Sequence, residues 1–325
     1  ASTQARWDTS WSLKGGGMMG IGLIIFEIIA PMLEYISPLI PGEFFPYYFN
    51  GKIEMLQRSL VALIMVTMVA GFLGVFLLIQ NLALIGDGLA HVSFGGVAVG
   101  IVLGATSPLD YALLFSVTAA IIIHELQSRE ILTGDASIAI FLTGMLALGL
   151  VILRVSGTGI TSDIHSYLFG NLLLVDEGSL DRIALFCLVS FGVLIVIFRP
   201  LLACTVDPLA ARVQGIPVRG IGLLFSIITA MMVVSMVKLV GALLVTALLV
   251  TPAATAQLIG RSFRSCLILT QIFGLTAVFG GLYLSAELDT GGGSMIALFA
   301  ATIFAIVAIV QLTIKNVIKS KENIN

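Results

Sequence analysis

Long apolar stretches alternate with short polar or glycine- and proline-containing segments along the whole chain. Ten such stretches lie at about 18–40, 59–80, 82–105, 109–127, 136–155, 180–199, 217–236, 238–260, 264–286 and 294–314. A helix needs about 20 apolar residues to cross a bilayer. The stretches are apolar on every side, whereas the strands of a transmembrane barrel alternate polar and apolar positions. The pattern therefore predicts an all-α polytopic membrane bundle with nine or ten transmembrane helices.

The first stretch differs from the others. Residues 18–40 contain Glu27, Glu34 and two prolines, and the segment that follows, 41–52, is rich in aromatic residues and proline. This pattern fits either a full crossing or a helix that lies partly at the membrane interface. The nine stretches from residue 59 onward are predicted to cross. Residues 1–17 are interpreted as a leader or flexible terminus and are left out of the fold prediction.

The composition excludes a soluble protein. Hydrophobic residues make up 58% of the chain and charged residues only 10%, with a mean hydropathy of +1.12, whereas a soluble domain carries roughly 25% charged residues. The net charge of −2 provides no basic surface for nucleic acid. The three cysteines are far apart and form no CxxC pair, so no disulfide framework is expected.

The distribution of positive charge predicts the orientation of the bundle. If the carboxyl terminus lies in the cytoplasm, most of the 16 Lys and Arg residues fall on that side, as the positive-inside rule requires. The polar segment 200–219 then lies in the cytoplasm. With ten crossings, the amino-terminal residues Arg6 and Lys14 would lie there too.

Ionisable residues within apolar stretches mark candidate functional sites, because they are costly in a membrane. Asp87 and His91 are four residues apart, so a helix places them on one face. A carboxylate and an imidazole are suitable ligands for Zn²⁺ or Mn²⁺. The alternative is structural: Asp87 would cap the helix and orient His91 through a hydrogen bond. The nearby Gly88, Gly95 and Gly96 indicate close helix packing.

A second, weaker candidate pair lies between two of the predicted spans. Asp163 and His165 are expected on the outer side of the membrane, where they could receive an incoming cation. The alternative interpretation is an ordinary solvated loop.

A short cytoplasmic helix is predicted at 207–215. Asp207 is a good N-cap, Pro208 suits the first helical position and Gly215 suits the end. An exposed helix between two spans is suited to docking a cytoplasmic partner, although an inert surface turn has the same pattern. The residues of this segment are Asp207, Pro208, Leu209, Ala210, Ala211, Arg212, Gln214 and Gly215.

With these residues in view, the chain resembles the permeases of ABC-type zinc/manganese/iron uptake systems, the ZnuB/MntB-like family. Four segments carry the resemblance in the expected order. They are IGDGLAHVSFGG at 85–96, SYLFGNL at 166–172, DPLAARVQGIPV at 207–218 and VGALLVTALLVTPAATAQ at 240–257, which contains Pro252. The resemblance covers residues 58–315 and thereby suggests a permease domain at 58–325, preceded by an additional helix and extracytoplasmic loop at 18–57.

The resemblance implies a membrane subunit of an ATP-driven importer of Zn²⁺, Mn²⁺ or Fe²⁺ in the plasma membrane of a prokaryote. Two copies would line one path, with Asp87 and His91 contacting the metal. The 207–215 helix would dock a separate ATPase, and an extracytoplasmic metal-binding protein would deliver the ion. No permanently bound cofactor is expected. The chain has no GxxxxGK[ST] loop and so is not expected to hydrolyse ATP itself.

Two departures from the family and several alternatives accompany this interpretation. Asp289–Ser294 stands where the family often has Pro-Ser-Gly, and 18–57 has no clear counterpart. A permease for a metal chelate such as a siderophore or cobalamin would not need Asp87 and His91. An ion-coupled secondary carrier typically shows internal repeats, and none is visible here. An intramembrane enzyme would need paired catalytic residues within spans, which we do not find.

Overall fold

The computed structural model describes residues 20–157, 167–170, 172 and 175–322. The leader or flexible terminus predicted at 1–17 and the pair Asp163 and His165 lie outside these residues. Every regular element in the described part is helical. The α-helices are α1 (Ile21–Ile36), α2 (Glu54–Ile79), α3 (Ile85–Val102), α4 (Pro108–Ser128), α5 (Gly134–Val155), α6 (Glu177–Val206), α7 (Pro208–Val213), α8 (Val218–Val240), α9 (Val245–Leu249), α10 (Thr251–Ile259), α11 (Phe263–Glu287) and α12 (Gly292–Glu322).

Within the described ranges, nine helices are long and apolar enough to cross a bilayer. They are α1 to α6, α8, α11 and α12, with the first apolar segment extending to Leu39 through a 3₁₀ turn. This confirms the predicted all-α membrane bundle. The most deeply buried of the nine are α2, α3 and α8, so these three helices form the centre of the bundle.

The structure corrects one predicted span. Residues 238–260 were expected to form one helix, but α8 continues through Lys238 to Val240 and ends at Gly241, whose φ is +92°. A 3₁₀ turn at Ala242–Leu244 and the short helices α9 and α10 follow. Glycine tolerates this positive φ. Pro252, at the start of α10, lacks the N–H that a continuous helix would donate to the preceding turn.

Polar contacts define the two ends of the bundle. At one end, which we call the Glu287 face, Arg58 Nη2 lies 2.8 Å from Glu177 Oε1 and Lys238 Nζ lies 3.5 Å from Asp176 Oδ1. The Glu287 carboxylate accepts hydrogen bonds there from the backbone N–H groups of residues 43, 44 and 45. The Glu287 face therefore joins the first turns of α2 and α6 to the last turns of α8 and α11.

Contacts at the opposite end, which we call the α7 face, join the other helix termini. Gln80 Nε2 donates to Thr205 Oγ1 at 3.0 Å, which links the end of α2 to the end of α6. Glu125 near the end of α4 pairs with Arg219 at the start of α8. Successive long helices from α2 to α6 consequently run in alternating directions between the two faces.

The broken segment that contains α9 and α10 crosses the bundle. It begins at Gly241, three residues after Lys238 on the Glu287 face, where its backbone packs against that of Gly170. It ends at Gly260, just before α11. Since the other end of α11 is Glu287 itself, Gly260 lies at the α7 face. The ten predicted apolar stretches therefore all correspond to helical segments, of which this one is discontinuous.

Candidate functional site

The central helix α3 carries the first candidate site in its first two turns. It begins at Ile85 on the α7 face, after a connection of five residues from the end of α2. The residue at its N-cap position is Leu84, and no side chain caps this end. Asp87 is the third residue of the helix, so the structure does not support the alternative in which Asp87 serves as its N-cap.

Asp87 and His91 face each other without a hydrogen bond. His91 Nε2 lies 4.0 Å from Asp87 Oδ1, which is beyond hydrogen-bonding distance. His91 is only 7% exposed, and its Nδ1 is buried with no hydrogen-bond partner in the described part of the structure. A buried imidazole nitrogen without a hydrogen-bond partner is unusual in a folded protein. Asp87 retains 30% side-chain exposure, so the pair is accessible from one side.

The neighbours of the two flanking glycines locate this pair within the bundle. A Cβ on Gly86 would lie 2.7 Å from a methyl group of Leu249 on α9, and one on Gly88 would lie 2.6 Å from a methyl group of Ile138 on α5. With 3.6 residues per turn, the direction of Asp87 and His91 falls between those of Gly86 and Gly88. The pair therefore faces the seam between α5 and the discontinuous crossing.

The other small residues of α3 allow neighbouring backbones to approach. A Cβ on Gly95 would lie 2.8 Å from the carbonyl oxygen of Met145, and one on Gly96 would lie 2.7 Å from that of Tyr111. Any larger residue would force α4 or α5 away from α3. These glycines determine how closely α4 and α5 pack against α3 around the pair, but they provide no metal ligand.

One chain supplies an incomplete set of metal ligands. Within the described residues, no group of three or more His, Cys, Asp and Glu side chains is arranged to hold a metal ion. Two ligands from one chain leave a typical four-coordinate zinc shell half filled. The remaining ligands would have to come from water, from a second protein chain or from residues outside the described ranges.

The second candidate site is α7, and the structure has the helix start and end that the sequence predicts. Asp207 Oδ1 accepts hydrogen bonds at 3.0 Å from the backbone N–H groups of Leu209 and Ala210. Pro208 is the first helical residue, and Gly215 takes a positive φ of +80° after the helix. The three residues thus cap, start and end a helix of six residues between α6 and α8.

The outward side of α7 is apolar. Leu209 is 72% exposed and Val213 is 90% exposed, and their spacing of four residues puts them on one face of the helix. Ala211 is only 1% exposed and packs against the body of the protein. Ala211 therefore holds α7 in place, while Leu209 and Val213 are free to contact a partner.

A groove of about 790 Å³ runs beside α7 on the same face. Its lining includes Gln80, His124, Gln127, Arg212 and Arg219. His124 Nε2 lies 3.1 Å from the carbonyl oxygen of Arg219.

An ion-pair cluster beside the groove was not found by sequence reasoning. Glu125 pairs with Arg129 at 2.6 Å and also with Arg219. The i,i+4 spacing of Glu125 and Arg129 was a usable signal. No local signal connects Glu125 to Arg219.

Comparisons with known proteins find similar membrane transport proteins. Residues 52–311 match the model of a family described as the ABC 3 transport family. The manganese transport system membrane protein MntC of Halalkalibacterium halodurans is 34% identical over 255 residues, which cover 77% of this chain and 85% of that protein. The high-affinity zinc uptake system membrane protein ZnuB of Haemophilus influenzae is 32% identical over 253 residues, which cover 78% of this chain and 96% of that protein.

Solved structures show the same architecture. PsaBC from Streptococcus pneumoniae in complex with Fab contains a chain that superposes with a TM-score of 0.70 and 32% identity, covering 80% of this chain and 94% of that one. An inward-facing conformation of a putative metal-chelate type ABC transporter superposes with a TM-score of 0.64 at 16% identity, covering 88% of this chain and 98% of that one. The second likeness establishes a shared fold only.

Proposed function

Because its residues 52–311 match the family model, the chain belongs to the ABC 3 transport family, and on this premise we propose that it is the permease subunit of an ATP-driven importer of Mn²⁺ or Zn²⁺. Similar proteins of known name transport one or the other of these ions. Asp and His side chains bind both, and geometry and availability decide between them. The transported ion is the substrate rather than a resident cofactor.

The observation that carries the proposal is the free pair Asp87 and His91. Ligand atoms each about 2.0–2.2 Å from one Zn²⁺ are about 3–4 Å apart, and Nε2 and Oδ1 are separated by 4.0 Å. A small inward rotation of either side chain would let both bind the same ion. An accessible carboxylate beside a buried imidazole without a hydrogen-bond partner is poor as a structural contact but suitable as half of a cation site.

The other half of the site would come from a second copy of the chain. In a symmetric dimer, each residue of one copy has an equivalent in the other. Two copies of Asp87 and His91 facing one axis supply four ligands, enough for a closed zinc shell. Transport also requires release, so we expect the shell to be complete in only one of the two conformations of the dimer.

ATP hydrolysis would occur on a separate subunit that docks on α7. Leu209 and Val213 form its apolar contact, and the groove beside α7 accommodates adjoining parts of the partner. This assignment places the α7 face and the carboxyl terminus in the cytoplasm, in agreement with the positive residues Arg129, Arg212 and Arg219 on that side. The Glu287 face would then receive an ion from an extracytoplasmic binding protein.

The pair on α3 favours a bare cation over a metal chelate. A chelate carries its metal already enclosed by organic ligands, so a permease for it does not need a carboxylate and an imidazole at the ion path. The exposed docking helix also favours an ATP-driven system over an ion-coupled secondary carrier, which functions without an ATPase.

The test is metal uptake by the chain reconstituted with its ATPase. Asp87→Asn and His91→Gln keep the size of each side chain and are expected to abolish ATP-dependent uptake of Mn²⁺ and Zn²⁺ without loss of folded protein. Ser93→Ala is the matched control, because Ser93 is buried on the same helix and donates only to the carbonyl oxygen of Ala90. If both variants transport like wild type, the pair is structural and the proposal fails.

A further inference from the structure

Helix α1 contacts the same face of the bundle at both of its ends. Near its start, the backbone N–H of Leu23 donates to Asp181 Oδ1 at 3.0 Å. Just past its middle, the carbonyl oxygen of Ala30 accepts from Gln57 Nε2 at 3.4 Å, and near its end Glu34 Oε1 lies 2.6 Å from where a Cβ on Gly51 would be. Asp181 is the fifth residue of α6 and Gln57 the fourth residue of α2, so both lie close to the Glu287 face.

The contacts along the middle of α1 stay at the same level. The ring of Phe26 lies 5.7 Å from the guanidinium carbon of Arg58, and Arg58 bridges α2 to Glu177 at the start of α6. A helix of 16 residues is about 24 Å long. If α1 crossed the bundle, its ends would contact opposite ends of α2 and α6, yet its described hydrogen bonds involve only their first two turns.

The side of α1 that faces away from the bundle is apolar. Ile21, Ile24, Ile28, Met32 and Tyr35 are between 43% and 84% exposed. Their spacing of three or four residues places them in one row, which we call the α1 stripe. Gly22 and Leu33, on the other side, are buried.

The position of the α1 stripe matches the polar–apolar boundary of a bilayer. The neighbouring helices change from charged to apolar at this level, after Arg58 in α2 and after Arg182 in α6. Beyond the boundary, Leu185 and Leu188 of α6 are exposed apolar residues of the lipid-facing surface. The α1 stripe is exposed and apolar like these two residues, and Tyr35 lies at its end, as is typical of the membrane interface.

We propose that α1 does not cross the membrane and is an interfacial helix whose α1 stripe inserts into the lipid leaflet at the Glu287 face. The partner is the lipid surface itself. Residues 21–36 contain Glu27 and Glu34 but neither Lys nor Arg, so burial of apolar area, and not attraction to anionic lipid, provides the binding.

This arrangement changes the topology and gives the amino-terminal segment a mechanical role. Within the residues that the structure describes, the chain crosses nine times, eight times through long helices and once through the discontinuous segment, and Gly20 lies on the Glu287 face. Through Asp181, Gln57 and the Glu287 contacts to residues 43–45, the segment joins α2, α6 and α11 at one level. It precedes the part of the chain that matches the family model, residues 52–311.

The test measures membrane depth along α1 in the full chain. Single cysteines replace Ile24, Ile28, Met32 and Tyr35 after Cys187, Cys204 and Cys266 have been changed to Ala, and each carries a spin label. Collisions with oxygen, which concentrates in the bilayer centre, and with a water-soluble nickel chelate are compared in phosphatidylcholine vesicles. Leu185→Cys and Val196→Cys provide controls on α6, a crossing helix, where both residues are exposed.

The expected result is a uniform, shallow depth for all four α1 labels, with oxygen collisions close to those at 185 and well below those at 196. A depth that rises toward the middle of α1 and falls again would show a crossing helix and overturn the proposal. Labels shielded from both reagents would show that protein, such as a second copy, covers the α1 stripe, and would overturn the lipid assignment.

Discussion

The backbone carbonyl of Leu249 lies directly against Gly74, at the place where any other residue would carry its Cβ. Leu249 is the last residue of α9, and its side chain also packs on Gly86, next to Asp87. A single residue at the break of the discontinuous crossing therefore contacts both α2 and the start of α3. Its position depends on the absence of a side chain at residue 74.

Gly74→Ala is expected to destabilise the protein by about 1–3 kcal/mol, because a backbone carbonyl cannot rotate away as a side chain can. The thermal unfolding midpoint in detergent measures the effect. Gly192→Ala on α6 is the matched control, since nothing lies within 4 Å of its added Cβ. Its unfolding midpoint should equal or exceed that of wild type, because alanine favours a helix more than glycine does. Equal midpoints for the two variants would contradict the close contact.

Leu209→Asp and Val213→Asp are expected to abolish association with the ATPase while leaving the chain folded. Each variant places a charge on the exposed apolar side of α7, where a docked partner would have to desolvate it. Copurification of the two subunits measures the loss. Leu288→Asp is the control, since Leu288 is 61% exposed and follows α11 on the opposite face; a loss of association there as well would refute a specific role for α7.

Glu287→Ala is expected to release the loop at residues 43–45 from the end of α11. The Glu287 carboxylate accepts the backbone N–H groups of Glu43, Phe44 and Phe45 at 3.2, 3.1 and 3.2 Å, and no other hydrogen-bond partner for these amides is present among the described residues. Hydrogen exchange of these three amides should accelerate in the variant. Glu43→Ala, which removes an exposed side chain of the same loop, should leave the exchange of Phe44 and Phe45 unchanged. Slow exchange in Glu287→Ala would show that other contacts hold the loop.

The contact between Asp176 and Lys238 is expected to persist in mild acid. The hydroxyl of Ser179, and next the ammonium of Lys238, lower the pKa of Asp176 below its ordinary value of 3.8. A lowered pKa means that the stabilisation is present above the ordinary value and is lost only as pH falls through the lowered one. The difference in unfolding midpoint between wild type and Asp176→Asn should therefore be equal at pH 7 and pH 5. A difference that shrinks between these two values would contradict the lowered pKa.

The sequence by itself determined the features that depend on neighbouring residues. Runs of apolar residues set the helices, since their backbone groups can be satisfied only within the segment in lipid. Asp207, Pro208 and Gly215 fixed the beginning and end of α7, because capping and positive φ are decided within a few positions. The four-residue spacing of Asp87 and His91 likewise determined that both lie on one face of α3.

Only the tertiary structure decided the features that depend on residues distant in sequence. It showed that Asp87 neither caps α3 nor hydrogen-bonds His91. It also showed that the crossing at 242–259, which packs against α2 and α3, is discontinuous. It also brought Leu23 to Asp181 and Phe44 to Glu287. The apolar stretch at 18–40 is compatible both with a helix that crosses the bilayer and with one that lies at its surface. Two contacts distinguish these arrangements for α1. Leu23 and Asp181 are 158 positions apart in the sequence, and Phe44 and Glu287 are 243 positions apart, so no local pattern encodes either contact.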